Sequence, residues 1–444
     1  MDVAMPKKRK KKLSPIEKLT PSVLPSVLEF ELRQLYELAC QNSKPLWPRI
    51  DPYQEELPDE SLIEDFFRLT HLGMRKAQES MLDRLLCQDE SDELSSVRYF
   101  AYRGVADAIA WQLLGSELAY AKRFFMAKPS PSLYESNIQS VISAAEKLHS
   151  TYSDSIALIT DLTSFIQVGD ILLRQPNKGI SIYEVKEGKV NQEILGLLNQ
   201  GQSAEEQFSS NEVLKSKPEK FRKQFERALR QKMRMENVSE TLLKDEGTDA
   251  ATGRHVVLPT PSSYIGSWYP KLLEAYDRCM ERGWGIALVQ DCFYIGCYEA
   301  GKFSRPGQMA FEVWFSSQAA TEDCPRMSLI ACMTDPIALP IYSLPIPDEF
   351  KFDLLFGRKH VSLGLNVPEL VRLAQLHGIN VRFASKKETT QALQRNGNFL
   401  WRYQGKAIYI LKNGDKIFLG EGFTLRVFFH GEKPIDTLRA FSCS

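Results

Sequence analysis

The sequence predicts an α/β protein in which a mixed β-sheet flanked by helices lies between a helical N-terminal region and an α+β C-terminal domain. Three observations predict this class. Short runs rich in β-branched residues follow one another between residues 156 and 186, with helical periodicity on either side. Residues 13–128 have a helical pattern, and residues 263–444 alternate between strand and helix patterns. A chain of 444 residues is long enough for two or three domains.

Composition limits the partners that can be expected. The chain is 43% hydrophobic and 25% charged with a net charge of zero, so attraction to nucleic acid would need local basic patches. No apolar run approaches the roughly 20 residues that span a bilayer, and no secretory signal follows the N-terminus, so no membrane partner is expected. The eight cysteines form no CxxC pair, which argues against a zinc site or a disulfide scaffold and favours a reducing cytoplasm.

The first twelve residues are predicted to form a disordered basic tail. Six consecutive Lys or Arg residues occupy positions 7–12, and like charges in such a block repel one another. Three interpretations remain open at this point: a solvated tail, an arm that binds nucleic acid, or a nuclear import signal.

Residues 13–128 are predicted to be helical. Ser61 and Glu64 match a capping box ahead of an apolar run that ends near Cys87. The apolar segment 96–114 is expected to lie at the centre of a helical bundle, and the prolines at 129 and 131 mark its end.

Residues 129–240 are predicted to form the central α/β unit. Apolar residues recur at helical spacing in 133–149, and a second helix is predicted for 217–236. Three strands lie between them, with the sequences IALIT, QVGDILL and ISIYEVK.

The remainder is divided into a linker and a C-terminal domain. Residues 241–262 are polar, with Gly and Pro, and are interpreted as the linker. Helices are predicted near 269–282 and 367–377, and strands in WGIALVQ, FEVWFSS, MSLIAC and VRFAS. A closing meander is predicted from AIYILK, KIFLG and TLRVFF, with an Asn-Gly turn at 413–414.

The hairpin predicted from the last two central strands carries charges where buried strands are apolar. With Asn177 at the centre of the turn, Asp170 lies opposite Glu184 on one face. Lys186 is two positions from Glu184 and shares that face. The inference depends on loop parity, because a shift of one residue would turn Asp170 to the other face.

Two arrangements would compensate these charges. One is a structural ion pair between Lys186 and either carboxylate. The other is a divalent cation such as magnesium bridging Asp170 and Glu184, because two adjacent acids repel and hard cations prefer oxygen ligands. The residues alone favour neither.

An Asp in one strand and Glu-x-Lys in the next resembles the PD-(D/E)xK nucleases of the restriction-endonuclease-like fold. The resemblance covers about 110 of the 444 residues, with predicted helix 133–149 before the strands and predicted helix 217–236 after them. Gly169 stands in place of the proline that often precedes the family's Asp. It implies that Asp170, Glu184 and the backbone carbonyl of Val185 bind Mg²⁺, with Mn²⁺ as a substitute. It also implies that Lys186 assists the attacking water.

Many members of this family have an additional acid, for which the sequence offers several candidates. Glu135 and Glu146 lie in the preceding predicted helix, and Asp161 lies close to the strands. Asp107 is a further candidate, although an i,i+4 ion pair with Arg103 would explain it.

Residues 215–234 form a strongly basic predicted helix. Nine are Lys or Arg and two are Glu. Phe221, Phe225 and Leu229 mark an apolar face, whereas a second face is expected to contact phosphate and sugar oxygens through Gln224, Arg227, Gln231 and Arg234. The alternative is a solvated amphipathic helix.

These patterns together predict a cytoplasmic metal-dependent nuclease, with DNA favoured over RNA. Bacterial or phage defence is a frequent setting for this fold. Residues 263–444 are expected to recognise the substrate, a partner protein or a second copy of the chain. Two alternatives remain: a non-catalytic nucleic-acid-binding or regulatory protein with a degenerate nuclease fold, and an interaction scaffold with a structural Asp/Glu/Lys network.

Overall fold

A computed structural model describes residues 24–49, 60–87, 93–127, 133, 137–176, 178–200, 217–249, 253, 255–258, 265–300, 304–318, 323–396 and 399–443. The predicted basic tail, residues 1–12, lies outside these ranges. The chain forms two compact units. The hairpin unit, which contains the charged hairpin, comprises Ser26–Ser267, Cys332–Pro345 and Gly422–Ser444. The second unit contains Trp268–Ala331 and Ile346–Glu421.

The N-terminal part of the hairpin unit is helical, as the sequence predicted. Its helices are α1 (Glu29–Ala39), α2 (Glu60–Leu86), α3 (Ser95–Leu113), α4 (Leu118–Phe124) and α5 (Ile138–Thr151). The middle of α3 is buried, with Tyr102 and Trp111 both fully enclosed. The predicted capping box is wrong, because Ser61 lies inside α2, which includes Glu60.

The central sheet is a three-stranded antiparallel sheet. Its strands are β1 (Ile156–Ile159), β2 (Ile171–Gln175) and β3 (Gly179–Tyr183), in the order β1-β2-β3. The prediction of a mixed sheet was therefore wrong. A parallel pair needs a crossover of a dozen or more residues, usually a helix, whereas the connection from β1 to β2 contains only a short 3₁₀ turn at Thr160–Leu162.

Side chains from α2 cover the open edge of β1. The side-chain amide of Gln78 donates to the Ala157 carbonyl at 3.0 Å and accepts from the Ile159 N–H at 2.8 Å. The Arg75 guanidinium donates to the carbonyl of Ser155 at 2.7 Å. These contacts satisfy backbone groups that a further strand would otherwise pair, so the N-terminal helices belong to the same unit as the sheet.

Gln78→Ala is expected to destabilise the protein. Gln78 is 3% exposed, and its loss would leave one buried backbone N–H and one buried C=O without this partner. Each unsatisfied group costs roughly 1–3 kcal/mol, so the free energy of unfolding should fall by about 2 kcal/mol or more. Urea unfolding measures this, with Asp83→Ala on the exposed side of α2 as the control. An equal loss in both variants would contradict this role for Gln78.

Two helices and a two-stranded ribbon follow the hairpin. They are α6 (Lys189–Gln200), α7 (Glu219–Lys244), β4 (Glu246–Thr248) and β5 (His255–Val257). The interpretation of 241–262 as a linker was therefore wrong in its described part. Helix α7 continues to Lys244, and β4 pairs with β5 in antiparallel register.

The boundary predicted at residue 263 also differs from the structure. Residues Cys332–Pro345 and the C-terminal helices α13 (Gly422–Phe429) and α14 (Pro434–Cys443) belong to the hairpin unit. The segment TLRVFF lies in α13 and is not the third strand of a meander. Its Leu425 and Phe428 are three residues apart and both buried, which is a helical spacing.

The second unit is α+β, in agreement with the class predicted for the C-terminal part. One antiparallel sheet has the order β6-β7-β9-β8, and β12 pairs with β10, β11 and β13 in another. The strands are β6 (Trp284–Val289), β7 (Phe293–Glu299), β8 (Arg326–Ser328), β9 (Lys359–Leu365), β10 (Val381–Phe383), β11 (Arg402–Tyr403), β12 (Lys406–Lys412) and β13 (Asp415–Phe418). The helices are α8 (Tyr269–Arg282), α9 (Ser304–Gln318), α10 (Asp348–Leu355), α11 (Val367–Leu376) and α12 (Lys386–Asn396).

One strand predicted in this unit is a helix. The segment FEVWFSS lies in α9, because Phe311 and Phe315 are four residues apart and both buried on one helical face. Of the segment MSLIAC, only the first two residues belong to a strand, β8.

Candidate functional site

The charged hairpin has the predicted register. Leu172 pairs with Ile182 and Ile171 with Tyr183, as the prediction required. The N–H of Asp170 donates to the Tyr183 carbonyl at 2.7 Å, one step beyond the last strand pair. Asp170 and Glu184 therefore lie at the same end of the hairpin, where β2 begins and β3 ends.

Lys186 connects this end of the hairpin to α7. Its Nζ atom forms an ion pair with Glu184 Oε1 and donates to Gln231 Oε1 at 2.9 Å. The side chains of Glu184 and Lys186 are 15% and 19% exposed, respectively, so the pair is recessed from the surface. The lysine thus lies between a carboxylate from the hairpin and an amide from the basic helix.

Asp170 is held beside the backbone of Val185, whose N–H donates to Asp170 Oδ2 at 2.6 Å. Burial and the neighbouring Glu184 carboxylate raise the pKa of Asp170 to about 6, against the lowering effects of the Val185 N–H and Lys186. The carboxyl group therefore sits where a second negative charge is unfavourable and a cation would be stabilising.

The metal-free protein is expected to lose stability as the pH rises from about 4 to about 6. Asp170 has an ordinary pKa of 3.8 when unfolded and a pKa of about 6 when folded, so the folded state binds its proton more tightly across this window. Asp170→Asn should remove this contribution. Denaturant unfolding over this pH range measures it, with the exposed Glu146→Gln as the control. A profile unchanged by Asp170→Asn would contradict the assigned environment.

The basic helix α7 has the buried apolar face that the sequence predicted. Phe221, Phe225 and Leu229 are buried in a cluster with Ile194 and Leu198 of α6. All four predicted polar contacts, Gln224, Arg227, Gln231 and Arg234, line the same cavity as Asp170, Glu184 and Lys186.

This cavity has a volume of about 910 Å³. Its lining includes the acids at the end of the hairpin and the polar and basic face of α7. Lys220 and Lys223 also line the cavity and were not predicted as contact residues. The helical spacing that identified Gln224 and Arg227 extends one turn further to these lysines and could have found them.

A further acid, Glu187, lies at the cavity and was not predicted. Its carboxylate accepts hydrogen bonds from the Asn137 side-chain amide and the Ser140 hydroxyl at the start of α5. Gln224 and Asn191 of α6 also line the cavity, and Gln224 Nε2 donates to Asn191 Oδ1 at 2.6 Å. These contacts join α5, α6 and α7 around the cavity.

The candidates for an additional acid differ in whether the structure places them at the cavity. Asp161 lines the cavity, and its charge raises the pKa of Asp170. Glu146 is exposed on α5 and is not among the cavity residues, so its prediction was wrong. Glu135 lies outside the described residues.

Asp107 lines a different cavity, of about 120 Å³. It accepts hydrogen bonds from the N–H and the hydroxyl of Ser164, both at 2.7 Å. Burial raises the pKa of Asp107 to about 7, and nearby Arg103 opposes the shift. Asp107 therefore fixes the loop between β1 and β2, and its assignment as an additional acid of the hairpin site was wrong.

The end of the hairpin offers a metal ion only a few ligand atoms, and these are hard oxygen donors. Within the described ranges, no three His, Cys, Asp or Glu side chains converge as a protein-only metal site would require. Magnesium is commonly bound by one or two carboxylates, with water and substrate phosphates completing its octahedron. Asp170 and Glu184 with the adjacent Val185 backbone are compatible with that mode and incompatible with a structural zinc site.

Comparisons with known proteins give no relative. No family model matches the chain, no curated protein is significantly similar to it, and no solved structure significantly matches it. Across the described parts of the chain, no helix is both long enough and apolar enough to cross a membrane.

Proposed function

We propose that the protein is a metal-dependent nuclease that hydrolyses phosphodiester bonds at the end of the charged hairpin. A single observation carries this proposal: Asp170, Glu184 and Lys186 line one cavity together with the basic face of α7. Acids alone would indicate a cation site, and cations alone would indicate an anion site. Their combination suits a phosphodiester bound beside a divalent metal ion.

Each residue has a defined part in this proposal. Asp170 and Glu184 would hold Mg²⁺ or Mn²⁺, with the Val185 carbonyl as a further ligand. Bound there, the metal would supply a Lewis acid and an activated water. Lys186 would move from its ion pair with Glu184 to the phosphate. Gln231, which accepts a hydrogen bond from Lys186 Nζ, would keep the lysine ammonium group near the phosphate. Arg227 and Arg234 would bind neighbouring phosphates.

One feature favours a second candidate, a nucleic-acid-binding protein without catalysis. Lys186 already neutralises Glu184 within the chain, and two carboxylates are fewer ligands than a protein-only site requires. In that case α7 would still bind phosphates, but no metal would bind at the hairpin.

Labelled single- and double-stranded DNA and RNA, incubated with magnesium, with manganese and with chelator, distinguish the two candidates. The proposal predicts cleavage of at least one substrate that requires the metal. Cleavage that persists in chelator would reject the mechanism. Binding without cleavage of any substrate, together with calorimetry showing no metal binding, would favour the second candidate.

A further inference from the structure

The charge on α7 is distributed unevenly along the helix. Residues 219–234 contain seven Lys or Arg and two Glu, whereas residues 235–244 contain one Lys and two Glu. Of the cations in the first part, Lys220, Lys223, Arg227 and Arg234 line the cavity. A polyanion lying along α7 would therefore be attracted to its N-terminal two thirds.

The position of the hairpin acids along this row is fixed by Gln231, which accepts a hydrogen bond from Lys186. At a rise of about 1.5 Å per residue, Arg227 lies about 6 Å from Gln231 along the axis towards the N-terminus. Lys223 and Lys220 lie about 12 Å and 16 Å away in the same direction. Arg234 lies only about 4 to 5 Å away in the other direction.

Beyond Arg234 the same helical stripe is covered by protein. It continues as Val238 and Thr241, which are 2% and 0% exposed. The Thr241 hydroxyl is packed against Gly247 of β4, where an added Cβ would lie only 2.1 Å from Oγ1. A strand following the cationic row therefore has no path past Arg234 on this face.

The acids are also recessed. The cavity volume of about 910 Å³ falls in the range of roughly 300–1,000 Å³ that is usual for pockets holding small ligands. A short stretch of one polynucleotide strand can enter such a cavity, whereas a duplex would remain at its mouth.

We infer that the substrate is a single polynucleotide strand whose phosphates run from the hairpin acids along Arg227, Lys223 and Lys220 on one side of the scissile bond, with a single phosphate contact on the other side. This inference rests on the proposed function for the position of that bond. The dipole of α7 also favours phosphates at the Lys220 end, because this end is the helix N-terminus and has a partial positive charge. Arg234 contacts the first phosphate on the other side.

The salt dependence of binding tests this inference without requiring catalysis. A fluorescently labelled single-stranded oligodeoxynucleotide is titrated with the full-length protein in chelator at several salt concentrations. Each of Lys220→Gln, Lys223→Gln and Arg227→Gln is expected to lower the slope of log K against log salt by about 0.7. The matched controls Arg222→Gln and Arg230→Gln remove exposed arginines of α7 that do not line the cavity, and they should leave the slope unchanged.

A further variant tests whether the phosphate contacts end at Arg234. Glu236→Lys adds a cation beyond Arg234 along the helix axis and off the cationic row, so affinity and slope should stay at the wild-type values. A blunt duplex of the same sequence should bind more weakly than the single strand. The slope of log K against log salt for duplex binding should change little in Lys223→Gln.

Three results would overturn the inference: unchanged slopes in Lys223→Gln and Arg227→Gln, equal losses in the two control variants, or a steeper slope in Glu236→Lys. Duplex binding as tight as single-strand binding would overturn the choice of a single strand. Magnesium-dependent cleavage by wild type, measured separately, tests the proposed function itself. Cleavage with unchanged slopes would reject only the phosphate path, and reduced slopes without cleavage would reject only the nuclease.

Discussion

Asp170→Asn and Glu184→Gln are each expected to abolish magnesium-dependent cleavage while the fold is retained. Both substitutions keep the shape of the side chain and remove the charge that a hard cation requires. Asp170→Asn also removes a carboxyl group whose pKa is raised to about 6 by burial and by Glu184, so it should not destabilise the metal-free protein.

Calorimetric titration with Mn²⁺, circular dichroism and initial rates measure the three parts of this prediction. Metal binding and cleavage should be lost together, with an unchanged far-UV spectrum. Glu146→Gln on the exposed face of α5 is the matched control and should behave as wild type. Metal binding that survives in both site variants would place the cation elsewhere.

Lys186→Ala is expected to separate binding from turnover. The proposed role of Lys186 is in the transition state, so removing it should lower kcat by about two to three orders of magnitude, as the loss of one preorganised donor typically does. Metal affinity should be preserved or increased, because the variant removes a cation that forms an ion pair with Glu184. Lys189→Ala, an exposed lysine three residues further on, is the control. A variant that loses metal binding together with turnover would contradict this role.

Ending the chain after Glu421 is expected to unfold the hairpin unit, although the hairpin itself is far away in the sequence. The deletion removes α13 and α14, which bury seven apolar side chains: Phe423, Leu425, Val427, Phe428, Phe429, Ile435 and Leu438. Each contributes roughly 1.5–3 kcal/mol, and the sum is comparable to the whole stability of about 5–15 kcal/mol.

Specific contacts would be lost as well. The His430 ring lies 5.1 Å from the Trp111 ring, and the Lys433 N–H donates to the Gly266 carbonyl at 2.8 Å. Thermal unfolding of the truncated chain measures the effect. Leu438→Ala provides a milder version with an expected loss of about 2–5 kcal/mol, and Arg439→Ala next to it is the exposed control. A truncated chain that melts at the wild-type temperature would contradict this assignment of α13 and α14.

Two features of the site could be predicted from the sequence because each of them is local. The hairpin register follows from the predicted length of the turn, and the two faces of α7 follow from helical spacing. Neither depends on distant parts of the chain. The pairing of Leu172 with Ile182 and the burial of Phe225 confirm these two predictions.

The errors arose where distant contacts decide the structure. Asp107 was a candidate for the additional acid of the hairpin site, but it lines a different cavity and accepts hydrogen bonds from Ser164, 57 residues further along the chain. Runs of aromatic and β-branched residues favour strands, yet Phe311 and Phe428 lie in helices because tertiary packing selects the helical spacing. No local pattern shows that residues 422–443 pack with the hairpin unit and not with the segment that precedes them.

The most direct test compares wild type with Glu184→Gln on one labelled single-stranded substrate, each with magnesium and with chelator. Cleavage is expected in only one of the four reactions, wild type with magnesium, because Glu184 is proposed as a metal ligand and the metal as the source of the attacking water. Equal cleavage by Glu184→Gln and wild type, or cleavage by wild type in chelator, would contradict the assignment of the hairpin acids as the catalytic metal site.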